Sequence, residues 1–199
     1  MSFWRALLGR SEQARPDLDS LFGLPSAAVT LRAAVGLRPT GTGSAAFRPT
    51  EGAAFADLEK DITALLGAGE GPPVGQVADE YGYTWLVVRS DHPPAGRGEV
   101  TDPDITGLVT SLHAVNSTLE ENGYGSSLLC SLVGFSDGER SLGLVYLYKR
   151  GTFYPFAPLP GERRDNALEL QVEAAVGGDL PMEPDRSRWF PVYGAPGLR

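Results

Sequence analysis

Between Leu128 and Ala157 the chain reads as three consecutive strands. Leu128 to Phe135 is apolar and runs into Ser136-Asp137-Gly138-Glu139, where an Asp-Gly pair suits a hairpin turn. Ser141 to Tyr148 returns antiparallel, and Lys149-Arg150-Gly151 turns the chain into a third strand, Thr152 to Ala157. Pro155 has no N–H to give to a ladder, so it belongs on an edge or at a strand end. Helical patterns stand on both sides. Within about 103–122, Ile105, Leu108, Val109, Leu112, Val115 and Leu119 recur at helical spacing. Thr101 or Asp102 is the expected cap, Pro103 takes the first helical position, and Asn122-Gly123 closes the helix. A second helix covers about 162–176 and stops at Gly177-Gly178. Strands gathered as a meander between helices argue for an α+β fold with an antiparallel sheet.

The rest of the chain fits around this unit. Asp17 to Gly23 reads as a helical turn or two, and Ser26 to Val35 suits helix and strand equally. Pro39-Thr40-Gly41-Thr42-Gly43-Ser44 reads as a loop before a short strand at 45–48. Thr50 caps an expected helix with an apolar stripe of Phe55, Leu58, Ile62, Leu65 and Leu66. Tyr81 to Arg89 is a strand rich in aromatic and β-branched residues, and 91–102 is a polar loop. From Asp179 the chain is Pro-rich and irregular, with Trp189, Phe190 and Tyr193 expected to pin it to the body. The expected organisation is one domain, 16–199, preceded by a short amphipathic tail, 1–15.

Composition narrows the function classes. Formal net charge is -8, which disfavours contact with a nucleic-acid backbone. Cys130 is the only cysteine, so no intramolecular disulfide or cysteine-based zinc site can form, and a reducing compartment fits best. The apolar stretch at the start is too short for a signal-peptide core, and no run approaches the roughly 18 residues of a membrane span. The expectation is a cytoplasmic protein with at most peripheral contact with the inner face of the membrane.

No catalytic pattern emerges. The Gly41–Ser44 stretch has no lysine for a P-loop and no third glycine opening a helix. Cys130 lies in an apolar strand, where burial is the usual fate of a thiol; the nucleophile alternative would need a base, and His113 is the nearest candidate in sequence. His92 and His113 belong to no metal-binding pattern. His113 and Asn116 could line a cleft with Glu120, or Asn116 could hydrogen-bond at the helix–sheet seam. The densest polar and aromatic segment holds Tyr146, Tyr148, Lys149, Arg150, Phe153, Tyr154 and Phe156, followed by Arg163 and Arg164. Rings and guanidinium groups are common interface anchors, so this segment is the candidate partner-binding face; the alternative is ordinary strand residues with solvated charges. Phe3, Trp4, Leu7 and Leu8 share one face of a short helix and are a second docking candidate. No cofactor and no metal are expected.

Several stretches then stand out as a set. They include Leu24-Pro25-Ser26-Ala27-Ala28, Leu37-Arg38-Pro39-Thr40-Gly41, Leu112 to Leu119, Leu147 to Pro158, Arg164 to Glu169 and Trp189-Phe190-Pro191-Val192. Through them the chain resembles the PspA-associated PspAB family of actinobacteria over essentially its whole length. The resemblance implies a small accessory protein linked with PspA, a phage-shock protein that coats stressed membrane. It brings no assigned catalytic residues. The leading expectation is therefore a non-enzymatic binding module that engages PspA or another envelope-stress component. The alternatives are a small-ligand binder or enzyme with a cleft near His113, Asn116 and Arg150, and a chaperone-like dimer. Self-association stays open.

Overall fold

The computed structural model describes residues 16–48, 74–79, 81–90 and 102–198. The candidate docking residues Phe3, Trp4, Leu7 and Leu8, the helix expected after Thr50, and His92 lie outside them.

The hairpin expected at Asp137-Gly138 joins β4 (Leu128–Ser136) to β5 (Ser141–Leu147). Gly138 takes a positive φ of 99°, and Asp137 accepts hydrogen bonds from the N–H groups of Glu139 and Arg140. The Arg140 N–H contributes most to holding the Asp137 carboxyl down at about 2, against the opposing effect of burial. β6 (Thr152–Phe156) completes the meander as the last strand of the sheet, where Pro155 breaks no ladder bond to β5. With β1 (Arg38–Phe47), β2 (Gly75–Ala78) and β3 (Thr84–Arg89), these make a six-stranded antiparallel sheet in the order β2-β3-β1-β4-β5-β6. The fold is α+β. A two-residue pair, β7 (Pro158–Leu159) with β8 (Arg163–Arg164), stands beside it.

Among the described residues one face of the sheet carries three helices: α1 (Leu24–Val35), α2 (Ile105–Leu119) and α3 (Asn166–Val176). The ambiguous 26–35 segment is thus helix; its buried residues Leu24, Ala27, Ala28, Leu31 and Val35 follow helical spacing, and Gly36 ends it at φ 77°. α2 buries Leu108, Val109, Leu112, Val115 and Leu119 as expected, but its cap is Asp104, whose carboxylate accepts from the Gly107 N–H. α3 starts at Asn166 rather than near 162, because Asp165 caps it while Arg163 and Arg164 form β8. Asn116 is fully buried under α2, where its amide donates to the Leu112 carbonyl and exchanges hydrogen bonds with the Ser131 hydroxyl. Both partners are satisfied at the helix–sheet seam, so the amide adds specificity without an unmet polar group.

The largest departure from expectation is 39–44. It is not a loop before a short strand but part of β1, bonded to β3 on one side and β4 on the other. The pairing moves from Pro39↔Phe135 to Gly43↔Val133, so Thr40, Gly41 and Thr42 bulge opposite Gly134. Gly41 holds φ 76°, and a Cβ there would stand 3.0 Å from Pro103. These glycines mark close backbone approach inside a strand.

The second face is covered by the C-terminal segment. Trp189 stacks on Tyr154 with ring centroids 6.2 Å apart, and Tyr193 meets Phe156 edge-on at 5.0 Å. Ser44 donates to the Pro196 carbonyl, and Tyr154 donates to the Phe190 carbonyl. Of the three aromatics expected to pin this segment, Phe190 instead projects outward, 55% exposed. Its carbonyl, not its ring, makes the anchoring contact. Replacing Gly134 with Val should break this packing, because even a Cβ would fall 2.2 Å from the Gly197 carbonyl oxygen. The expected cost is about 2 kcal/mol, from overpacking against backbone, or a Tm lower by about 4–8 °C by calorimetry. An unchanged Tm would mean that the segment does not sit against β4.

Candidate functional site

Five strand pairings line up in a row across the second face: Val77, Trp85, Ala46, Cys130, Leu147 and Thr152 are successive Cα partners. Among the described residues the C-terminal segment packs beside this row; Ala46, Trp85 and Cys130 are themselves buried, while Val77, Tyr81 and Phe190 around them are exposed. The result is a groove of about 870 Å³. Its floor is Ala46, Cys130, Leu147 and Trp85, and one wall is Phe190 to Tyr193. At one end Asp79 accepts hydrogen bonds from the Tyr81 and Tyr83 N–H groups and from the Trp85 indole, each at 2.9 Å. That carboxylate closes the β2–β3 turn and fixes the indole. At the other end are Lys149 and Arg150 in the β5–β6 turn, with Arg188 and Glu162 on the rim.

Arg150 is held rather than loose. Its guanidinium donates two hydrogen bonds to the carboxylate of Glu183, which has no exposed surface; the Nη2–Oε1 contact is 3.0 Å. The Thr152 hydroxyl and the Asp185 N–H donate to the same carboxylate. Burial pushes the Glu183 pKa up, but the bonds from Arg150, Thr152 and Asp185 outweigh it and hold the group below the usual carboxylate range. Glu169 is a second buried carboxylate, accepting from the Ala157 N–H and from Arg164 at 2.9 Å. Arg164 also lies 5.0 Å over the Phe156 ring and donates to the Trp189 carbonyl.

These contacts redistribute the residues singled out in sequence. Tyr146, Tyr148, Phe153, Tyr154 and Phe156 are buried, so they form core rather than an exposed docking face. Burial also pushes the Tyr146 and Tyr148 hydroxyls up to about 12. Arg150 and Arg164 are tied to buried carboxylates, and only Lys149 and Arg163 of the set are exposed. An alternating strand puts every second ring inward, and the remaining face is taken by the C-terminal segment. His113 stands on α2 against the Phe22 ring at 4.9 Å and near Asp19 at 3.4 Å. Asn116 is sealed at the seam, while Arg150 lines the groove on the other face. Among the described residues the three share no common face of the sheet. Cys130 points to the groove face, away from α2, so His113 is not its base. Asp79, Tyr81, Tyr83 and Trp85 line the groove without any sequence motif that marks them as site residues. Their signal was present only as an aromatic strand, with nothing to show which face would be left open.

Two outcomes follow from this geometry. Replacing Arg150 with Met leaves the Glu183 carboxylate buried without its charge partner and should cost about 3 kcal/mol at pH 7 in denaturant unfolding. In the native protein the folded-state pKa of Glu183 is lowered, so the pair's contribution is full above the ordinary carboxylate range and is lost as pH falls through the lowered value. Without Arg150, burial dominates and raises that pKa, so the deficit should shrink from pH 7 to pH 4. A constant deficit would mean that the carboxylate is solvated. Second, burial pushes the Cys130 thiol up to about 12. Its alkylation at neutral pH should be slower than that of an ordinary thiol by on the order of a thousandfold, and should accelerate steadily with pH up to pH 10.

No described helix is long and apolar enough to cross a membrane. No group of three His, Cys, Asp or Glu side chains among the described residues could hold a metal ion. No curated protein and no solved structure was found to match the chain. One family model does, that of PspAB, PspA associated protein B, matching residues 1–197. With a match spanning nearly every residue, the chain belongs to the PspAB family.

Proposed function

We propose that this protein is a non-enzymatic accessory partner of PspA in the bacterial envelope-stress response, acting from the cytoplasm. The observation that carries the reading is the match to a family described as PspA-associated along residues 1–197. The site geometry supports holding rather than turnover. Cys130 in the groove is kept protonated, and the Asp79 carboxylate is occupied by three N–H donors. Arg150 is committed to Glu183. A nucleophile or general base needs a free lone pair near its working pH, and these groups do not supply one. The surface that remains is an apolar floor with aromatic and cationic edges, which suits association.

A second reading has one specific observation behind it. The groove's volume, about 870 Å³, lies within the range of small-molecule pockets, so a small-ligand binder is the alternative. The two part on one experiment. Tagged full-length chain, purified and mixed with purified PspA, should retain PspA in stoichiometric amount through size-exclusion chromatography. PspA eluting alone at micromolar concentrations of both would overturn the association.

A further inference from the structure

The groove on the second face has a largely buried apolar floor, exposed apolar lips at Tyr81 and Phe190, and polar ends of opposite kind. We propose that this groove seats the apolar face of an amphipathic helix from the partner protein, a helix whose polar flank is acidic. The inference rests on the reading that the chain associates with PspA, and adds the place and the chemistry of contact.

The backbone decides between helix and strand. β1 is paired on both sides, with β3 and β4, and β4 is paired on both sides, with β1 and β5. An extended segment laid across them would find no partners for its own N–H and C=O groups, whereas a helix closes those bonds internally. A sheet face is also ordinarily closed by another layer, and the opposite face of this sheet is already closed by α1, α2 and α3. The dimensions agree. From β3 to β5 the floor crosses three strand spacings of about 4.8 Å, roughly 14 Å, which is the length of about ten helical residues.

Charge decides the flank. On a chain of net charge -8, the rim at the β5–β6 side carries Lys149 and Arg188. Lys149 is exposed and forms no ion pair among the described residues; Arg188 shares Asp185 at 3.1 Å while staying about half exposed. Arg150 behind them is neutralised by Glu183. The opposing acid on the rim is Glu162, while Asp79, at the far end, is engaged by three N–H donors. Acidic side chains on the bound helix, and its negative C-terminal end, therefore fit best toward Lys149.

Cys130 makes the test direct, because it is the chain's single thiol and lies in the groove floor. The full-length chain is alkylated with N-ethylmaleimide at pH 9, and the rate is read by intact mass. The arms add purified PspA, a synthetic Leu-Ala-Glu amphipathic helix, the same peptide scrambled, a Leu-Ala-Lys helix, or oleate. PspA and the acidic helix should each slow alkylation about tenfold or more, and the scrambled peptide should not. Lys149→Glu, on an exposed turn, should weaken protection by the acidic helix about tenfold and strengthen that by the lysine helix. If PspA co-elutes but Cys130 reacts at the free rate, the groove is not the docking place and the association itself stands. If the acidic helix protects while PspA does not co-elute, the groove proposal survives and the association reading falls. Equal protection by the scrambled peptide, protection by oleate alone, or indifference to Lys149→Glu each overturns the proposal.

Discussion

A wholly buried carboxylate, Glu183, holds the second half of this molecule in place. Burying an ionised carboxylate without partners would cost several kcal/mol, so its position is acceptable only where donors converge. Here Arg150, Thr152 and the Asp185 N–H converge on it. The same residue ties backbone to backbone: its N–H donates to the Phe153 carbonyl, and the Phe153 N–H donates to the Pro181 carbonyl. That double contact covers the outer edge of β6, which would otherwise offer an unpaired strand to other chains. It also sets where the chain begins its return across the sheet. Trp189 donates its indole N–H to the Glu183 carbonyl, and Arg164, anchored by Glu169, donates to the Trp189 carbonyl. Two buried carboxylates thus aim one irregular segment.

The consequence is a sheet with unlike faces. Three helices close one face with ordinary apolar packing. The other is closed by a chain without regular structure, and such a chain can cover only what it touches. It reaches Ser44, Tyr154 and Phe156 and lies against Gly134, where the missing side chain lets the Gly197 backbone approach, and Gly143, where it admits the Leu198 side chain. Along the row through Trp85, Ala46, Cys130 and Leu147 it forms only one wall, Phe190 to Tyr193, and a groove remains beside it. The groove is therefore a product of partial coverage, and its chemistry comes from whichever side chains the pleat turns toward it.

Legibility in sequence followed the range of the interaction. The Asp137-Gly138 hairpin, the stripe of α2 and the meander are written in neighbouring residues, and they were readable. The 39–44 segment was not. Gly41, Thr42, Gly43 and Ser44 have the composition of a loop, yet they form the interior of the sheet because Pro103, Leu132 and Pro196 press against them from distant parts of the chain. The same limit applied to the aromatic segment 146–156. Rings on strands look alike whether they face core or solvent, and only the C-terminal return buried Tyr154 and Phe156.

The sequence by itself determined the α+β class, the order of the meander and its flanking helices, and the family, because periodicity, turn chemistry and family motifs are local properties. The tertiary structure alone decided that a glycine-rich stretch is a central strand, that Arg150 and Arg164 are spent on buried carboxylates, and that the groove lies beside Cys130 rather than on the rings of 146–156. Each of these depends on which distant segment covers which face, and no short window of residues carries that information.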